Sequence, residues 1–212
     1  MCESYNRDYY ERGIETGMSV YQNYRWIPEL TIPIAMVMID YLGIKRGQAV
    51  LDYGCAKGYL VKALRVLGRD ARGVDISRYA IGNVDNEVRE YCALKDDFKK
   101  TLKPVDFCIS KDVFEHIPEE ELPGTLAWIN AYELFVIITL GDENGYFCAE
   151  GNLDKTHVTC KEADWWSEMF EKNGWGVKHF SYRVAGIKDS YNDVSPKAHG
   201  FFTLRRLTLR RL

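Results

Sequence analysis

Two short stretches of the chain bring together residue types that do chemistry. In "KDVFEHI", residues 111–117, Asp112, Glu115 and His116 stand at i, i+3 and i+4 and share one face if the segment turns into a helix. In "VLDYGCAKGYL", residues 50–60, the carboxylate of Asp52 comes just before a glycine loop that runs from Gly54 to Gly58. The first group can lift a proton, because an imidazole such as His116 ordinarily titrates near neutral pH. It can also join His157, in the polar stretch "NLDKTHVT", to hold a divalent cation that polarises an acceptor oxygen. A bland reading has His116 cap the segment ahead of Pro118 while Glu115 is solvated. Proton removal is the first expectation, with His116, His157 and Glu115 as the catalytic set. The metal set Asp112, Glu115, His116 and His157 is the alternative and is not favoured, since Asp112 reaches one methylene less than a glutamate would.

The glycine loop points to a cofactor. Gly54 and Gly58 let the backbone turn sharply at a strand end and approach a ligand with no Cβ in the way, and Cys55 and Ala56 line the same bend. The spacing is G-x-x-x-G, with Ala56 inside it, and does not match the G-x-G-x-x-G of dinucleotide sites; no G-K-[ST] ending marks a P-loop. Asp52 would also repel a pyrophosphate, whereas S-adenosylmethionine carries a sulfonium and an ammonium beside which a carboxylate is favourable. Asp75, in "GVDIS", follows 75 − 52 = 23 residues later, close to the spacing of about 20 at which an acidic residue meets a ribose diol. Ile76 would lie against the adenine. Asp97 in "LKDDF" is placed for the adenine amino group, with Phe98 packing on the ring. Lys111 and Asp112, after the fourth strand, complete the expected cofactor contacts.

On these residues the chain, over roughly residues 33–207, resembles the class I S-adenosylmethionine-dependent methyltransferases. "VLDYGCAKG" resembles that family's first motif, with Ala56 in place of its middle glycine; one added methyl is expected to narrow the loop without closing it. "GVDIS" resembles the second motif, and "FCISKDVFEHIP" the segment around the fourth strand. The "FEHIP" and "DKTHVT" stretches are similar to those of bacterial methyltransferases associated with sugars and surface glycans. The D-x-x-E-H spacing resembles the E-x-x-E-H of metal-dependent relatives that act on RNA ends or quinone precursors. The resemblance implies transfer of a methyl group to a small hydroxylated acceptor, a sugar or glycan end first. An RNA-end methyltransferase and a non-catalytic cofactor-binding partner subunit are the alternatives.

The elements that must position these residues read as an α/β pattern. "QAVLDYG", "ARGVDIS", "REYCAL", "PVDFCIS", "YELFVIITL", "WGVKHFSYRV" and "GFFTLRRLTL" are expected strands, with helical patterns between most of them. Strands alternating with helices imply a three-layer, Rossmann-like methyltransferase fold, whose mostly parallel seven-stranded sheet has an antiparallel edge strand. Pro33–Leu42 reads as a helix with proline in its first turn, and Thr159 with Glu162 as a capping box. Trp165 and Trp166 are adjacent in the helix that follows, so one is expected in the core and the other as an acceptor platform.

Residues 1–212 are expected to form a single domain, with 1–32 as an aromatic lid or staple in which Arg25 is placed to meet the methionyl carboxylate. Lys57 is expected in solvent or paired with a carboxylate, and His179 and His199 are read as structural. The net charge of -3 disfavours a nucleic-acid partner. The terminal run "LRRLTLRRL" reads as a surface strand end. Six cysteines without a C-x-x-C pair suggest reduced thiols and a cytoplasmic protein. The longest apolar run, residues 32–39, is too short to cross a membrane. The sequence assigns no oligomeric state.

Overall fold

The β-branched and aromatic runs of the sequence become strands, and the apolar i, i+3, i+4 patterns between them become helices. A computed structural model describes residues 4–98, 104–141 and 154–208. In chain order the elements are α1 (Arg7–Glu11), α2 (Gly13–Thr16), α3 (Pro28–Leu42), β1 (Ala49–Tyr53), α4 (Tyr59–Val66), β2 (Asp70–Asp75), α5 (Arg78–Gly82), β3 (Cys92–Leu94) and β4 (Val105–Lys111). They continue with α6 (Leu122–Trp128), β5 (Ala131–Thr139), α7 (Ala163–Lys172), β6 (Trp175–Ser181), α8 (Asp189–Val194) and β7 (His199–Arg206). The seven strands form one sheet in the order β3-β2-β1-β4-β5-β7-β6. β1 with β2, β2 with β3, and β4 with β5 pair in parallel, whereas β7 runs antiparallel to both β5 and β6. The order reverses direction after β1, as in doubly wound α/β folds. All seven expected strands are present, and the antiparallel one is β7. The helix α8 lies between β6 and β7, where no clear helix was expected.

The chain divides into two compact units, Met1–Thr101 and Leu102–Leu212. In the first, α4 turns Val61, Ala63 and Leu64 inward, and Val50, Leu51, Ala71 and Val74 of β1 and β2 are buried. In the second, β5 is buried along Leu134–Ile138, as a strand covered on both faces must be. Phe114, Trp166, Phe170 and Phe202 form an aromatic core there, with Phe114 5.9 Å from Phe170 and Phe170 5.3 Å from Phe202, ring centroid to centroid. Phe114 is fully buried, and it anchors the turn that carries Glu115 and His116.

Local expectations fail at three places. The helix expected from Pro33, α3, begins at Pro28, which takes the first-turn position; Pro33 sits inside it, while Gly43 ends it in a left-handed conformation as expected. The capping box does not form, because the Thr159 hydroxyl donates to the Ile117 carbonyl at 2.6 Å and Glu162 caps α7 with its backbone alone. Cys55, Cys92 and Cys108 are free thiols, whereas Cys160 is disulfide-bonded. Cys2, Cys148, the "NL" of "NLDKTHVT" and the last four residues of the basic terminal run lie outside the described residues. Among the described residues, no helix is long and apolar enough to cross a membrane.

Candidate active site

The first unit builds its site mainly from backbone. Asp52, the third of four consecutive buried positions in β1, is itself 3% exposed. Beyond it the chain bends through Gly54 at φ +86°, Ala56 at φ +48° and Gly58 at φ +75° before α4 begins. The Gly54 and Cys55 amides donate to the Val74 carbonyl at 2.8 and 3.0 Å, which stitches the bend to β2. Gly73 makes this closure possible: a Cβ there would fall 2.6 Å from the Cβ of Cys55. The alanine has a conformational rather than a steric cost, since a left-handed alanine is disfavoured by about 1–2 kcal/mol. In return its amide faces Asp75 and donates to Oδ2 at 2.8 Å, while the Ser77 amide donates to Oδ1 at 2.7 Å.

Asp75 ends β2 almost fully buried, and burial pushes its carboxyl up from the ordinary value against the pull of the Ser77, Ala56 and Ile76 amides. A carboxylate offers about four lone-pair positions, so these amides leave it acceptor capacity for a ligand hydroxyl. Ile76 stands beside it, 42% exposed, a large apolar side chain open to a flat partner. Asp97 is exposed and Phe98 half-buried after β3. The Cys55 thiol is pushed well up, first by its hydrogen bond with Cys92 and then by burial, which makes it packing material rather than a nucleophile.

The aromatic N-terminal segment packs on this bend. Tyr9 and Tyr10 are buried with Ala80, and Tyr5, Tyr21, Tyr24, Tyr79 and Ala56 close around them. Polar ties hold it down. Lys57 pairs with Glu11 and donates to the Tyr24 carbonyl at 2.8 Å, Tyr79 donates to Glu11 at 2.9 Å, and Ser77 donates to the Tyr5 carbonyl at 2.5 Å. Lys57 is thus a pairing residue, as its two expected roles allowed. Burial, with the Asp75 charge adding, pushes the Tyr10 phenol up, so it stays a donor. The staple fastens the glycine bend and α5; Arg25 is exposed. No sequence signal marks Glu11, Ser77 or Gly73 as parts of this arrangement.

The second unit builds its site from side chains. After β4 the chain turns through Asp112 at φ +56° into a single 3-10 turn, Phe114–His116. Glu115 is fully buried and its Oε1 accepts from the Thr139 amide at 2.9 Å; Oε2 has no hydrogen-bond partner. Its carbonyl accepts from the amides of Val158 and Thr159 at 2.9 and 3.0 Å, which fixes the 154–160 loop against the turn. This brings His157 to His116, ring centroids 4.5 Å apart and planes at 72°. Ligand atoms of Glu115, His116 and His157 lie within 4.8 Å of one another. Burial lowers the pKa of His157, against the pull of Glu115, and favours its neutral form. The buried, unpartnered Oε2 and two imidazoles are a donor set that fits a divalent cation as well as a proton.

Asp112 is not part of that cluster. Lys111 Nζ lies 2.5 Å from its Oδ2 and Lys188 Nζ 2.7 Å from its Oδ1. Burial favours the protonated acid, but the two lysines override it and hold the carboxyl far below the usual range. Lys188 in turn sits 2.9 Å from Nε2 of the buried His199. Burial lowers the pKa of Lys188 and, with the lysine charge adding, takes that of His199 down to about 4. Asp112, the fourth member of the alternative metal set, is therefore committed to lysines. His199 has the structural setting expected of it, and Lys188 had no sequence signal at all. His179 is exposed on β6. Trp166 is core and Trp165 half-buried, its ring face covered by Lys161 at 5.0 Å.

A doubly wound sheet whose first strand runs into a glycine bend beside two buried strand-end carboxylates defines a class: α/β enzymes that bind a nucleoside cofactor. Residues 35–180 match the family described as a methyltransferase domain, and the chain belongs to that family. S-adenosylmethionine is its cofactor, and Asp52, the bend and Asp75 with Ile76 fit it. The ubiquinone biosynthesis O-methyltransferase of Paraburkholderia phymatum is 28% identical over 95 residues, 41% of this chain and 41% of the relative. The match thus spans less than half of that relative's length. The magnesium protoporphyrin IX methyltransferase of Synechocystis PCC 6803 aligns with TM-score 0.56 at 17% identity, covering 92% of this chain and 86% of that one. A methyltransferase solved in complex with a Haloferax volcanii methyltransferase activator aligns with TM-score 0.62 at 15% identity, covering 84% and 91%. At these identities the structural likeness is one of fold.

Proposed function

We propose that the chain methylates an oxygen of a small hydroxylated acceptor, with His116 as the general base and His157 and Glu115 completing its surroundings. The observation that carries the reading is the paired imidazoles of His116 and His157 over a buried carboxylate. S-adenosylmethionine, when bound, supplies a methyl group already activated by the sulfonium charge. The chain's own tasks are to hold the cofactor's ribose at Asp75, to align the acceptor oxygen and to take its proton. A hydroxyl needs that proton removed far more than an amine or a thiolate does.

The relatives' role in ubiquinone biosynthesis favours a hydroxylated quinone-type precursor over a sugar or glycan end. The chemistry agrees, because a phenol, with a pKa of about 10, gives its proton to an imidazole more readily than an aliphatic alcohol does. Glu115, His116 and His157 support a second reading, in which they hold a divalent cation that polarises the same oxygen. The test is a panel of catechols, sugars and short RNA incubated with labelled cofactor, with and without chelator. Methyl ether on a catechol, retained in chelator and reduced roughly 100-fold or more by His116→Ala, is expected. Transfer only to sugar or RNA would overturn the quinone-type acceptor, and full activity in His116→Ala would overturn the base; loss in chelator would favour the metal.

A further inference from the structure

The hydrogen bonds around His116 decide more than its position. Thr156 Oγ1 lies 2.8 Å from His116 Nδ1 and 2.5 Å from Asp154 Oδ1. Asp154 is buried at 4% exposure, and its same oxygen accepts from the Thr156 amide at 3.0 Å. A threonine hydroxyl has one hydrogen to give, whereas an ionised carboxylate can only accept. The Thr156 hydrogen therefore goes to Asp154. That leaves the hydroxyl oxygen to accept, and what it accepts is the hydrogen on Nδ1 of His116.

We infer that Asp154 and Thr156 act as a tautomer-setting relay, which holds His116 in its Nδ1–H form and puts the acceptor lone pair on Nε2. A histidine's two nitrogens are distinct, and the bond made by one sets the chemistry of the other. Asp154 and Thr156 touch no reacting atom in this scheme; they are positioning residues acting through the imidazole. The surrounding bonds suit the task, since the Val158 and Thr159 amides and the Thr159 hydroxyl pin the loop that carries Thr156 to the turn that carries His116. No oxidant, reductant or second substrate is involved; one proton stays on Nδ1 and another is received at Nε2. The consequence for turnover rests on the reading of His116 as base, but the tautomer itself does not.

Nitrogen-15 NMR of the histidine rings at a pH where they are neutral tests it directly. Wild-type protein should show His116 as Nδ1–H, Thr156→Ser should keep that pattern, and Thr156→Val should shift it toward Nε2–H. Asp154→Ala, which frees the threonine hydrogen to point at the ring, should shift it in the same sense. In parallel, Thr156→Val should lower kcat roughly 10- to 100-fold with KM changed less than about threefold, and Thr156→Ser should restore most of it. An Nε2–H signal in the wild type, or an Nδ1–H signal that survives both Thr156→Val and Asp154→Ala, overturns the relay. A switched tautomer with unchanged turnover leaves the relay standing and removes His116 from the chemistry, so the two failures are told apart.

Discussion

The two units solve the problem of holding a carboxylate in different ways. In the first, Asp75 is received by the backbone amides of Ala56 and Ser77, and the bend that presents the Ala56 amide is set by left-handed residues a few positions from β1. In the second, Asp112 is held by the side chains of Lys111 and Lys188, and Glu115 by the Thr139 amide from another strand. Backbone amides accept any ligand geometry that leaves the main chain in place, and they carry no charge of their own. Side-chain partners are charged and individually replaceable, and one of them, Lys188, is distant in sequence. The first arrangement suits a cofactor that is always the same, and the second suits the proposed acceptor site, which is open to change.

The largest effect should fall where the backbone cradle meets its ligand. Asp75→Ala removes the acceptor proposed for two ribose hydroxyls, each hydrogen bond to a charged group being worth about 1.5–3 kcal/mol. Calorimetry with S-adenosylhomocysteine should then show affinity reduced by roughly 100-fold or more; unchanged affinity would remove Asp75 from the cofactor site.

That half of the molecule was also the legible half. The Asp52-to-Asp75 spacing, the glycine bend and the strand pattern are short-range features, and all seven strands follow from runs of apolar residues a few positions long. What the sequence hid was the price of Ala56, because its conformation is dictated by the hydrogen bond to Asp75 and not by its own type. In the second unit, "KDVFEHI" announced a polar face but as an i, i+3, i+4 helix; one 3-10 turn and a left-handed Asp112 split the face instead. Asp112 then met Lys188, 76 residues on by 188 − 112, across a contact that no local pattern encodes. No local pattern marks Thr156 either, for the same reason.

A smaller effect tests the side-chain half. Lys188→Met leaves Asp112 with Lys111 alone, and Asp112→Ala leaves Lys188 buried without its anion; breaking a buried pair on one side costs about 3–5 kcal/mol. Urea denaturation should show Asp112→Ala as the worse of the two, since Lys111 remains for Asp112 but no second carboxylate is paired with Lys188 among the described ion pairs. Equal, negligible losses would mean the network is solvated.

The smallest effect is a slope. The folded protein keeps His199 neutral, with its pKa lowered to about 4, whereas an unfolded histidine takes a proton below about 6.5. The unfolded chain binds more protons between those values, so this contribution is complete above about pH 6.5 and is lost as pH falls toward 4. Stability should drop by roughly 1 kcal/mol per pH unit in that window, and His199→Gln should be flatter there. Parallel curves for the two proteins would show that His199 does not report on its burial.

The carbonyl of Glu115, which receives two amides from the 154–160 loop while its carboxylate receives a third from β5, has a kinetic consequence. The loop cannot swing out as an independent flap: to leave, it must first release the residue that shapes the polar cluster. Opening and disassembly of the cluster are then a single event, and the amide hydrogens of Val158 and Thr159 would exchange with solvent only as often as that event occurs.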